Sequence, residues 1–307
     1  FTTTGKRANA LFMNEGGVLT DRTALYASAS DVSGDQGFLT PTNDRDVVAV
    51  DVDNDGWIDL VTAVTLSDND AKHLSHPRVY MNLGNDGGGS WQGFEYQDAR
   101  IPQMHATAGP RFCSVAAGDI DDDGDMDLYF GDYDSGPAQI FDFNNRVLVN
   151  DGNGFFTDMS TTVLPDFNMR ESAFGAASFF EDMNRDGALD VVKQTALNPP
   201  QHVAVTYNNL VNKGVYNQYQ VVDSDAPYFV TVGDLNNDDM PDMVVADDGP
   251  DHFWLNNGTP GQTTVSFTKK NFGYQAGGDD GFGGDAYIAD LNGDGWNDVL
   301  ISDVDVD

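Results

Sequence analysis

The sequence contains few basic residues: 15 lysines and arginines stand against 50 aspartates and glutamates, for a formal net charge of −35. Binding to DNA, RNA or anionic membranes depends on lysine and arginine, which displace counterions from phosphates. A chain this acidic would repel those phosphates, so we expect no nucleic-acid partner. The charge is typical of salt-adapted solubility or of attraction to a basic partner.

Cysteine, long apolar runs and helical patterns are also scarce. A single cysteine, Cys113, excludes an intrachain disulfide, and its apolar neighbours indicate a buried side chain. The longest apolar runs are far too short to span a bilayer, which predicts no membrane insertion. No stretch has apolar residues at helical spacing over three turns, so few helices are expected.

A short acidic segment occurs five times in the chain. We number its nine positions 1 to 9; they follow the pattern Asp-x-(Asp/Asn)-x-Asp-Gly-x-x-Asp. Loops 1 to 5 are residues 51–59, 119–127, 182–190, 234–242 and 290–298, about sixty residues apart. A second motif, Asn-x-Gly after an apolar residue, falls between the copies. Its asparagines are Asn14, Asn82, Asn150, Asn212 and Asn256.

This periodicity predicts a repeat architecture. Short β-branched runs before and after each acidic loop, and before each Asn-x-Gly, indicate about four short strands per unit. Such units suit an all-β β-propeller better than a sandwich, because radial repetition leaves only short sheet edges. We therefore expect one propeller domain over residues 1–307. Its blades are predicted at 47–98, 113–160, 175–222 and 228–271, with a fifth formed by 284–307 and 1–30.

The fifth blade would pair the two chain ends. The last acidic loop has no Asn-x-Gly after it, and the first Asn-x-Gly has no acidic loop before it. Joining the termini would place these two landmarks about thirty residues apart, as in the other units. A ring would be completed by that pairing.

The acidic loops offer only hard oxygen ligands. Carboxylates about 5 Å apart would repel each other by roughly 3 kcal/mol per pair at an effective dielectric near 20, and a cation reverses that sign. The absence of Cys and His from the loops excludes zinc and copper and leaves calcium, magnesium or manganese. Calcium is favoured because it accepts six to eight oxygens in flexible geometry.

We expect up to five calcium ions, held by side-chain oxygens at positions 1, 3, 5 and 9 and by the backbone carbonyl at position 7. Gly at position 6 should make the sharp turn with positive φ. In loop 4 Asp239 replaces this glycine and Pro241 follows, so that site is expected to be the weakest. The expected ligands are Asp51, Asp53, Asp55, Trp57, Asp59, Asp119, Asp121, Asp123, Asp125, Asp127, Asp182, Asn184, Asp186, Ala188, Asp190, Asp234, Asn236, Asp238, Met240, Asp242, Asp290, Asn292, Asp294, Trp296 and Asp298.

An EF-hand begins in the same way but requires a bidentate Glu at position 12 and flanking helices. Position 12 of the five loops is Thr62, Phe130, Lys193, Val245 and Ile301. Strand-like sequence follows each loop instead. The segments are therefore predicted to be β-hairpin loops.

The loops, together with Phe174-Gly175-Ala176-Ala177 and Phe282-Gly283-Gly284, resemble FG-GAP repeats, the calcium-binding propeller units of integrin α-subunits and many bacterial surface proteins. The resemblance covers essentially the whole chain, although the Phe-Gly landmark is degenerate or absent before loops 1, 2 and 4. It implies that the matched loop residues bind calcium between adjacent strands of a blade. Propellers of that family usually have seven blades, so the five visible here form either a five-bladed ring or part of a seven-bladed one.

The sequence favours a calcium-stabilised extracellular or cell-surface binding module: adhesive, lectin-like or a structural unit of a larger surface assembly. Its partner would be a protein or a glycan, and self-assembly or membership of a longer chain stays open. The chain begins at Phe1 without a signal-peptide pattern, so export through a processed signal is an inference.

The alternative is a carbohydrate-active enzyme, a polysaccharide lyase or a glycoside hydrolase, on the same scaffold. No nucleophile elbow, phosphate loop or His-Glu-x-x-His motif occurs, so the sequence nominates no catalytic residue. His73 and His76 have metal-ligand spacing but no third ligand nearby in the sequence.

Overall fold

A computed structural model of the protein describes residues 5–65, 67, 70–104, 109–133, 144–175, 177–197, 199–225, 227–247, 249–273 and 282–304. Ala176, part of one Phe-Gly landmark, lies outside these ranges. The described residues form 21 β-strands and four single-turn α-helices. None of these helices has the length and hydrophobicity needed to cross a bilayer.

The bounds of the elements are as follows. Strands of the first half are β1 (Phe12–Glu15), β2 (Val18–Asp21), β3 (Ala29–Ser30), β4 (Asp44–Val50), β5 (Asp59–Val64), β6 (Arg78–Asn82), β7 (Phe94–Tyr96), β8 (Phe112–Gly118), β9 (Asp127–Asp132), β10 (Arg146–Asn150) and β11 (Phe156–Asp158). Those of the second half are β12 (Ser178–Glu181), β13 (Asp190–Thr195), β14 (His202–Tyr207), β15 (Gln218–Asp223), β16 (Pro227–Gly233), β17 (Asp242–Asp247), β18 (His252–Asn256), β19 (Phe267–Asn271), β20 (Phe282–Ala289) and β21 (Asp298–Val304). The helices are α1 (Thr23–Tyr26), α2 (Lys72–Ser75), α3 (Ser160–Val163) and α4 (Phe167–Arg170).

Antiparallel four-stranded meanders dominate the architecture. They are β4–β7, β8–β11, β12–β15 and β16–β19, each with neighbouring strands paired in chain order. The first meander gains β3, which pairs in parallel with β7. β1 with β2, and β20 with β21, make two separate two-stranded sheets. The all-β prediction with four-stranded units is confirmed, while ring closure, blade number and the pairing of the chain ends stay predictions.

Contacts between Cα atoms divide the chain into two compact units. The first comprises residues 1–117, 124–130 and 148–158, and the second comprises 118–123, 131–147 and 159–307. Within the first unit, valines of β4 to β6 pack with Phe112, Leu128 and Phe130 in one core. Within the second, Val192 and Val205 pack with residues of β16 and β17, such as Val230 and Met243.

The middle strands of the meanders are more buried than the outer strands β15 and β19. All six residues of β13, β14 and β17 are buried, and their sequences are continuous runs rich in β-branched residues, as expected for strands covered on both sides. The outer strands β15 and β19 are partly exposed and carry polar residues.

Arg78, at the start of β6, is a buried cation. Its guanidinium donates two hydrogen bonds of 3.0 Å to the carboxylate of Asp35, and both side chains are 0% exposed. The guanidinium carbon also lies 3.6 Å from the centre of the Tyr96 ring. This pair attaches the irregular segment around Asp35 to the sheet, and loss of either partner would leave a buried unpaired charge.

Candidate metal-binding loops

All five acidic segments are hairpin loops, as predicted. Each one connects two paired antiparallel strands: β4 to β5, β8 to β9, β12 to β13, β16 to β17 and β20 to β21. In the four meanders these are the first two strands of the sheet. Position 9 is in every case the first residue of the second strand. The strands on both sides exclude the EF-hand geometry.

The loop backbone is left-handed at two positions. Position 6 has positive φ throughout, including 67° at Asp239, where aspartate replaces the usual glycine. Position 4 also has positive φ, which the sequence analysis did not predict; its residues are Asn54, Asp122, Arg185, Asn237 and Gly293. Two left-handed residues within three positions coil the loop tightly, and Asn, Asp and Gly accept this conformation best.

The carboxylate at position 1 is held by the loop's own backbone. In loop 1, Asp51 accepts hydrogen bonds from the N–H groups of Asp55 at 3.2 Å and Gly56 at 2.9 Å. The same pair of hydrogen bonds, from positions 5 and 6, recurs in loops 3, 4 and 5. The position-1 side chain is therefore oriented before any ligand binds.

The side chain at position 3 separates loops 1 and 2 from the others. Asp53 Oδ1 and Asp121 Oδ1 are buried oxygens that have no hydrogen-bond partner among the described residues. Burial, followed by the charges of neighbouring loop aspartates, raises the pKa of both carboxyl groups. In loops 3 and 4 an asparagine stands here, and its amide donates to the position-5 carboxylate, as Asn184 does to Asp186 at 3.1 Å.

Three carboxylates converge in each of the first two loops. Ligand oxygens of positions 1, 3 and 9 lie within 4.8 Å of one another; the residues are Asp51, Asp53 and Asp59 in loop 1 and Asp119, Asp121 and Asp127 in loop 2. These groups include three of the four carboxylates expected from the sequence in each loop. The position-5 side chain instead accepts the N–H of position 7 in loops 1, 3, 4 and 5, for example Trp57 N–H to Asp55 at 2.8 Å.

The carboxylate at position 9 has a structural role of its own. Asp59 accepts the N–H of Val52 at 3.0 Å and that of Asn82 at 2.7 Å, so it joins its loop to the third strand. Asp190 and Asp242 accept equivalent pairs. Burial raises the pKa of Asp59 and Asp242 to about 6 and that of Asp190 to about 8. These buried acids carry a desolvation cost that a nearby cation would offset.

The partners of these acids are asparagines at the ends of third strands. Asn82, Asn150 and Asn256 belong to the Asn-x-Gly motif found in the sequence, and each donates its backbone N–H to a position-9 carboxylate. In the third meander this role falls to Asn208, which follows β14, and not to Asn212. Asn212, the asparagine of the sequence motif in this meander, lies beyond the strand, because β14 ends at Tyr207, and its side chain is exposed.

The same asparagine side chains connect consecutive meanders. Asn150 Nδ2 donates to the carbonyl of Val52 in loop 1 at 2.8 Å, and Asn208 Nδ2 donates to Ile120 in loop 2 at the same distance. Asn256 likewise donates to Met183 in loop 3. Each side chain also donates to the position-8 carbonyl of its own meander's loop. One buried amide thus satisfies carbonyls from two loops.

One cation approaches a predicted metal ligand. Arg100 lies 3.9 Å from the carboxylate of Asp53, donates to the carbonyl of Asn153, and stacks over the ring of Phe155 at 4.7 Å. Its charge offsets part of the repulsion within loop 1. In loop 2, Lys213 pairs instead with Asp122 at position 4, outside the expected ligand set.

These residues fit a hard divalent cation. The donor set is carboxylate and amide oxygen, and in loops 1 and 2 it includes a buried acceptor oxygen that no residue in the described part of the chain satisfies. Such an oxygen, next to two further carboxylates, is the arrangement that a calcium ion would complete. Loops 3 to 5 offer the same positions with asparagine at position 3 and hence one less negative charge.

A second group of ionisable side chains lies away from the loops and was not found from the sequence. Lys193 Nζ donates to the carbonyls of Asn168 and Glu171, at 2.6 Å each, and burial lowers its pKa to about 7. Tyr219 lies beside it and contacts the His202 ring nitrogen at 2.6 Å. Lys193 is only 1% exposed. Because its amino group is hydrogen-bonded to backbone carbonyls in and just after α4, the side chain holds α4 against β13.

His252 is buried between two acids. Its Nε2 contacts the carboxylate of Asp223, while Nδ1 lies 3.2 Å from the carbonyl of Pro250 and 3.7 Å from the carboxylate of Asp247. Trp254 also donates to Asp223, at 2.7 Å. Burial disfavours the charged imidazole, but the hydrogen bond and the charge of Asp223 outweigh it and raise the pKa of His252.

This arrangement predicts a pH-dependent stability. A raised pKa in the folded protein means that the stabilisation is complete below about pH 6.5, the pKa of an unfolded histidine, and is lost as pH rises through the folded value. Hydrogen bonds to charged groups contribute roughly 1.5–3 kcal/mol, which sets the upper bound of the loss. Urea unfolding between pH 6 and 9 in saturating calcium measures it.

The control for this prediction is His252→Gln, which cannot titrate. Its free energy of unfolding should vary less across the same pH range than that of the wild type. Asp247, Asp251 and Lys269 also surround the site, and both proteins contain them, so the comparison isolates the imidazole. Equal pH profiles for the two proteins would contradict the assignment.

The meanders and loops define a class of all-β repeat proteins in which an acidic hairpin loop joins the first two strands of each unit. The sequence profile described as the FG-GAP-like repeat matches residues 51–130 and 234–301. The resemblance seen in the sequence is thus confirmed over these two segments. Loop 3 lies outside the matched segments but has the same local structure. No curated protein matches the sequence.

Comparison with solved structures finds one shared fold. The structure that has it is described as the structural basis of specific recognition of non-reducing terminal N-acetylglucosamine by an Agrocybe aegerita lectin; its TM-score is 0.56 at 18% identity, over 98% of this chain and 72% of that one. The rhamnogalacturonan lyases YesW and YesX have TM-scores of 0.42 and 0.41 at 13% and 11% identity, over 86% of this chain and 59% and 57% of theirs. The similarity to the lectin, at 18% identity, shows a shared fold and nothing more.

Proposed function

We propose that this protein is a calcium-stabilised β-propeller that acts outside the cell as a carbohydrate-binding module. The observation that carries the metal assignment is the pair of buried oxygens without a partner, Asp53 Oδ1 and Asp121 Oδ1, each inside a three-carboxylate cluster. An empty cluster of this kind costs free energy through repulsion and desolvation. A bound calcium ion would remove both costs and so contribute to folding.

Calcium would be held by side chains at positions 1, 3, 5 and 9 and by the carbonyl at position 7 of each loop. Loops 1 and 2 should bind most tightly, because three of their carboxylates already converge. Loop 4 should bind most weakly, since its turn lacks glycine and Pro241 follows. Loops of extracellular modules bind calcium at roughly 10⁻⁴ to 10⁻³ M, which calcium reaches outside cells. This supports an exported protein.

The ring itself is part of the proposal. Four meanders carry acidic loops between equivalent strands, and β20 with β21 begins a fifth unit of the same kind. Consecutive units are joined by the same asparagine hydrogen bond. Such regular repetition supports radial blades, five within this chain, and leaves open a ring that includes further blades.

A carbohydrate is proposed as the ligand class on two grounds. The fold is shared with a lectin whose structure is described as recognising terminal N-acetylglucosamine. The acidic loops and their surroundings also present aromatic side chains to solvent: Trp57, Phe155 and Trp296 are 36%, 44% and 54% exposed. Exposed aromatic rings with polar neighbours are suited to stacking on sugar rings.

A glycan array tests this function. We expect binding to a restricted set of glycans in millimolar calcium, and at least a tenfold loss of affinity, about 1.4 kcal/mol, when Trp57 or Trp296 is replaced by alanine. Tyr287→Ala, an exposed aromatic on β20 rather than on an acidic loop, is the matched control. Absence of glycan binding would exclude the proposal, and release of cleaved products would show an enzyme instead.

A further inference from the structure

The five acidic loops are connected to one another through position 4. Asn54 Nδ2 in loop 1 donates to the Asp125 carboxylate in loop 2 at 2.7 Å. Arg185 Nε in loop 3 donates to the carbonyl of Asp239 in loop 4 at 2.7 Å. Asn237 Nδ2 in loop 4 donates to the carbonyl of Gly295 in loop 5 at 2.8 Å. In each case the acceptor is position 6 or 7 of the next loop.

Loops 2 and 3 are connected by a different residue with the same effect. Lys213 Nζ bonds to the carboxylate of Asp122, position 4 of loop 2, at 2.9 Å and to the carbonyl of Gly187, position 6 of loop 3, at 3.1 Å. Every consecutive pair of loops is therefore bridged from position 4. The left-handed backbone at position 4 recurs in all five loops, and in loops 1 to 4 its side chain takes part in a bridge.

The bridged peptide also belongs to the neighbour's proposed metal site. In loop 5 the carbonyl of Gly295 accepts from Asn237, while the N–H of the same peptide group, on Trp296, donates to the Asp294 carboxylate at 2.9 Å. Loop 4 repeats this arrangement at Asp239 and Met240, with Asp238 as the acceptor. Such a peptide group is hydrogen-bonded through its carbonyl to one loop and through its N–H to an expected metal ligand of the next loop. Movement of the first loop therefore shifts the ligand in the second.

We infer that the loops bind metal cooperatively, with the position-4 residue of each loop orienting the ligands of the next. The inference rests on the proposed calcium binding. Position 4 stands between two expected ligands, positions 3 and 5, so an ion that orders them also orders the bridge. By linkage, the coupling must act in both directions. Gly293 of loop 5 has no side chain, so the series of bridges ends there within the described residues.

The test uses the tryptophan at position 7 of loop 5 as a local reporter. In a Trp57→Phe background, Trp296 is the single tryptophan on an acidic loop, and its fluorescence is followed during calcium titration as the difference from a Trp57→Phe, Trp296→Phe reference, which subtracts Trp91 and Trp254. Asn237→Gly removes the bridge while glycine accepts the positive φ of this position. We expect the calcium midpoint at Trp296 to rise at least about fivefold, although the substitution lies in loop 4.

Two further variants identify the cause. Asn237→Arg installs the residue that makes this bridge in loop 3, and should restore the midpoint. Asn257→Gly changes an exposed asparagine that bonds to β19 rather than to a loop, and should leave the midpoint unchanged. Melting curves in EDTA confirm that each variant is folded.

The possible outcomes are distinct. An unchanged midpoint in Asn237→Gly, or an equal shift in Asn257→Gly, would overturn the coupling while leaving calcium binding intact. No calcium response in the Trp57→Phe parent, with calorimetry of the wild type also showing no binding, would overturn both the coupling and the proposed function. A shift that Asn237→Arg reverses would support the inference.

Discussion

Removal of calcium by EDTA is expected to lower the melting temperature by roughly 10–20 °C relative to the protein in 10 mM calcium. At a dissociation constant near 10⁻⁴ M, such a concentration stabilises the folded state by about 2.7 kcal/mol per site. Two well-formed sites in loops 1 and 2 would contribute about 5.4 kcal/mol, which gives this range at about 2–4 °C per kcal/mol. Differential scanning calorimetry measures the shift, with magnesium as the comparison ion.

A substitution at position 3 separates metal binding from general salt effects. Asp121→Asn removes the negative charge of the loop 2 carboxylate whose Oδ1 is buried and has no hydrogen-bond partner among the described residues. In calcium it should lower the melting temperature by roughly 5–10 °C, since one site is weakened. In EDTA it should leave the protein as stable as the wild type or more stable, because repulsion within loop 2 is relieved. Melting curves that coincide with and without calcium would eliminate the metal hypothesis.

Replacement of Asn208 by alanine is expected to destabilise the protein by about 2–4 kcal/mol. The buried Asn208 amide donates to the carbonyls of Ile120 at 2.8 Å and Leu189 at 3.1 Å, and its oxygen accepts the N–H of Gly214. Alanine would leave these buried groups without partners, which costs more than the net value of a hydrogen bond. Urea unfolding in saturating calcium measures the change.

The matched control is Asn212→Ala, four residues away in the same connection. Asn212 is the residue that the sequence motif selects, but its side chain is exposed, so the substitution should change stability by no more than about 0.5 kcal/mol. If Asn212→Ala proved as damaging as Asn208→Ala, the placement of the third-strand end in this meander would be wrong. The two substitutions together test whether Asn208, rather than Asn212, connects the second and third meanders.

The acidic loops were predictable because they are local. All expected ligands of one site lie within nine residues, and the glycine at position 6 marks the turn. Spacing alone therefore indicated hairpins and hard-oxygen chemistry, and strand bounds confirm the hairpins. Even the exception was foreseeable: Asp239 takes the left-handed φ of the glycine that it replaces, as aspartate does more readily than most residues.

The asparagine connections were only partly predictable. A motif search found Asn82, Asn150 and Asn256 because Gly stands two residues later. In the third meander the sequence offers both Asn208 and an Asn-x-Gly at 212, and the choice depends on where β14 ends. The pairing of β14 with β15 ends at Tyr207, which lies opposite Gln218. A pattern of residue types does not contain this information, since the register between neighbouring strands decides it.

The sequence by itself determined the all-β class, the repeat, the hairpin loops and their oxygen chemistry, because each depends on residues close together in the chain. Tertiary structure alone decided which oxygens lack partners, which side chains bridge consecutive loops, and that Arg78 is buried against Asp35. Those pairings join residues tens of positions apart. Their register follows from how buried strands pack, and strand packing is a property of the whole unit rather than of any short segment.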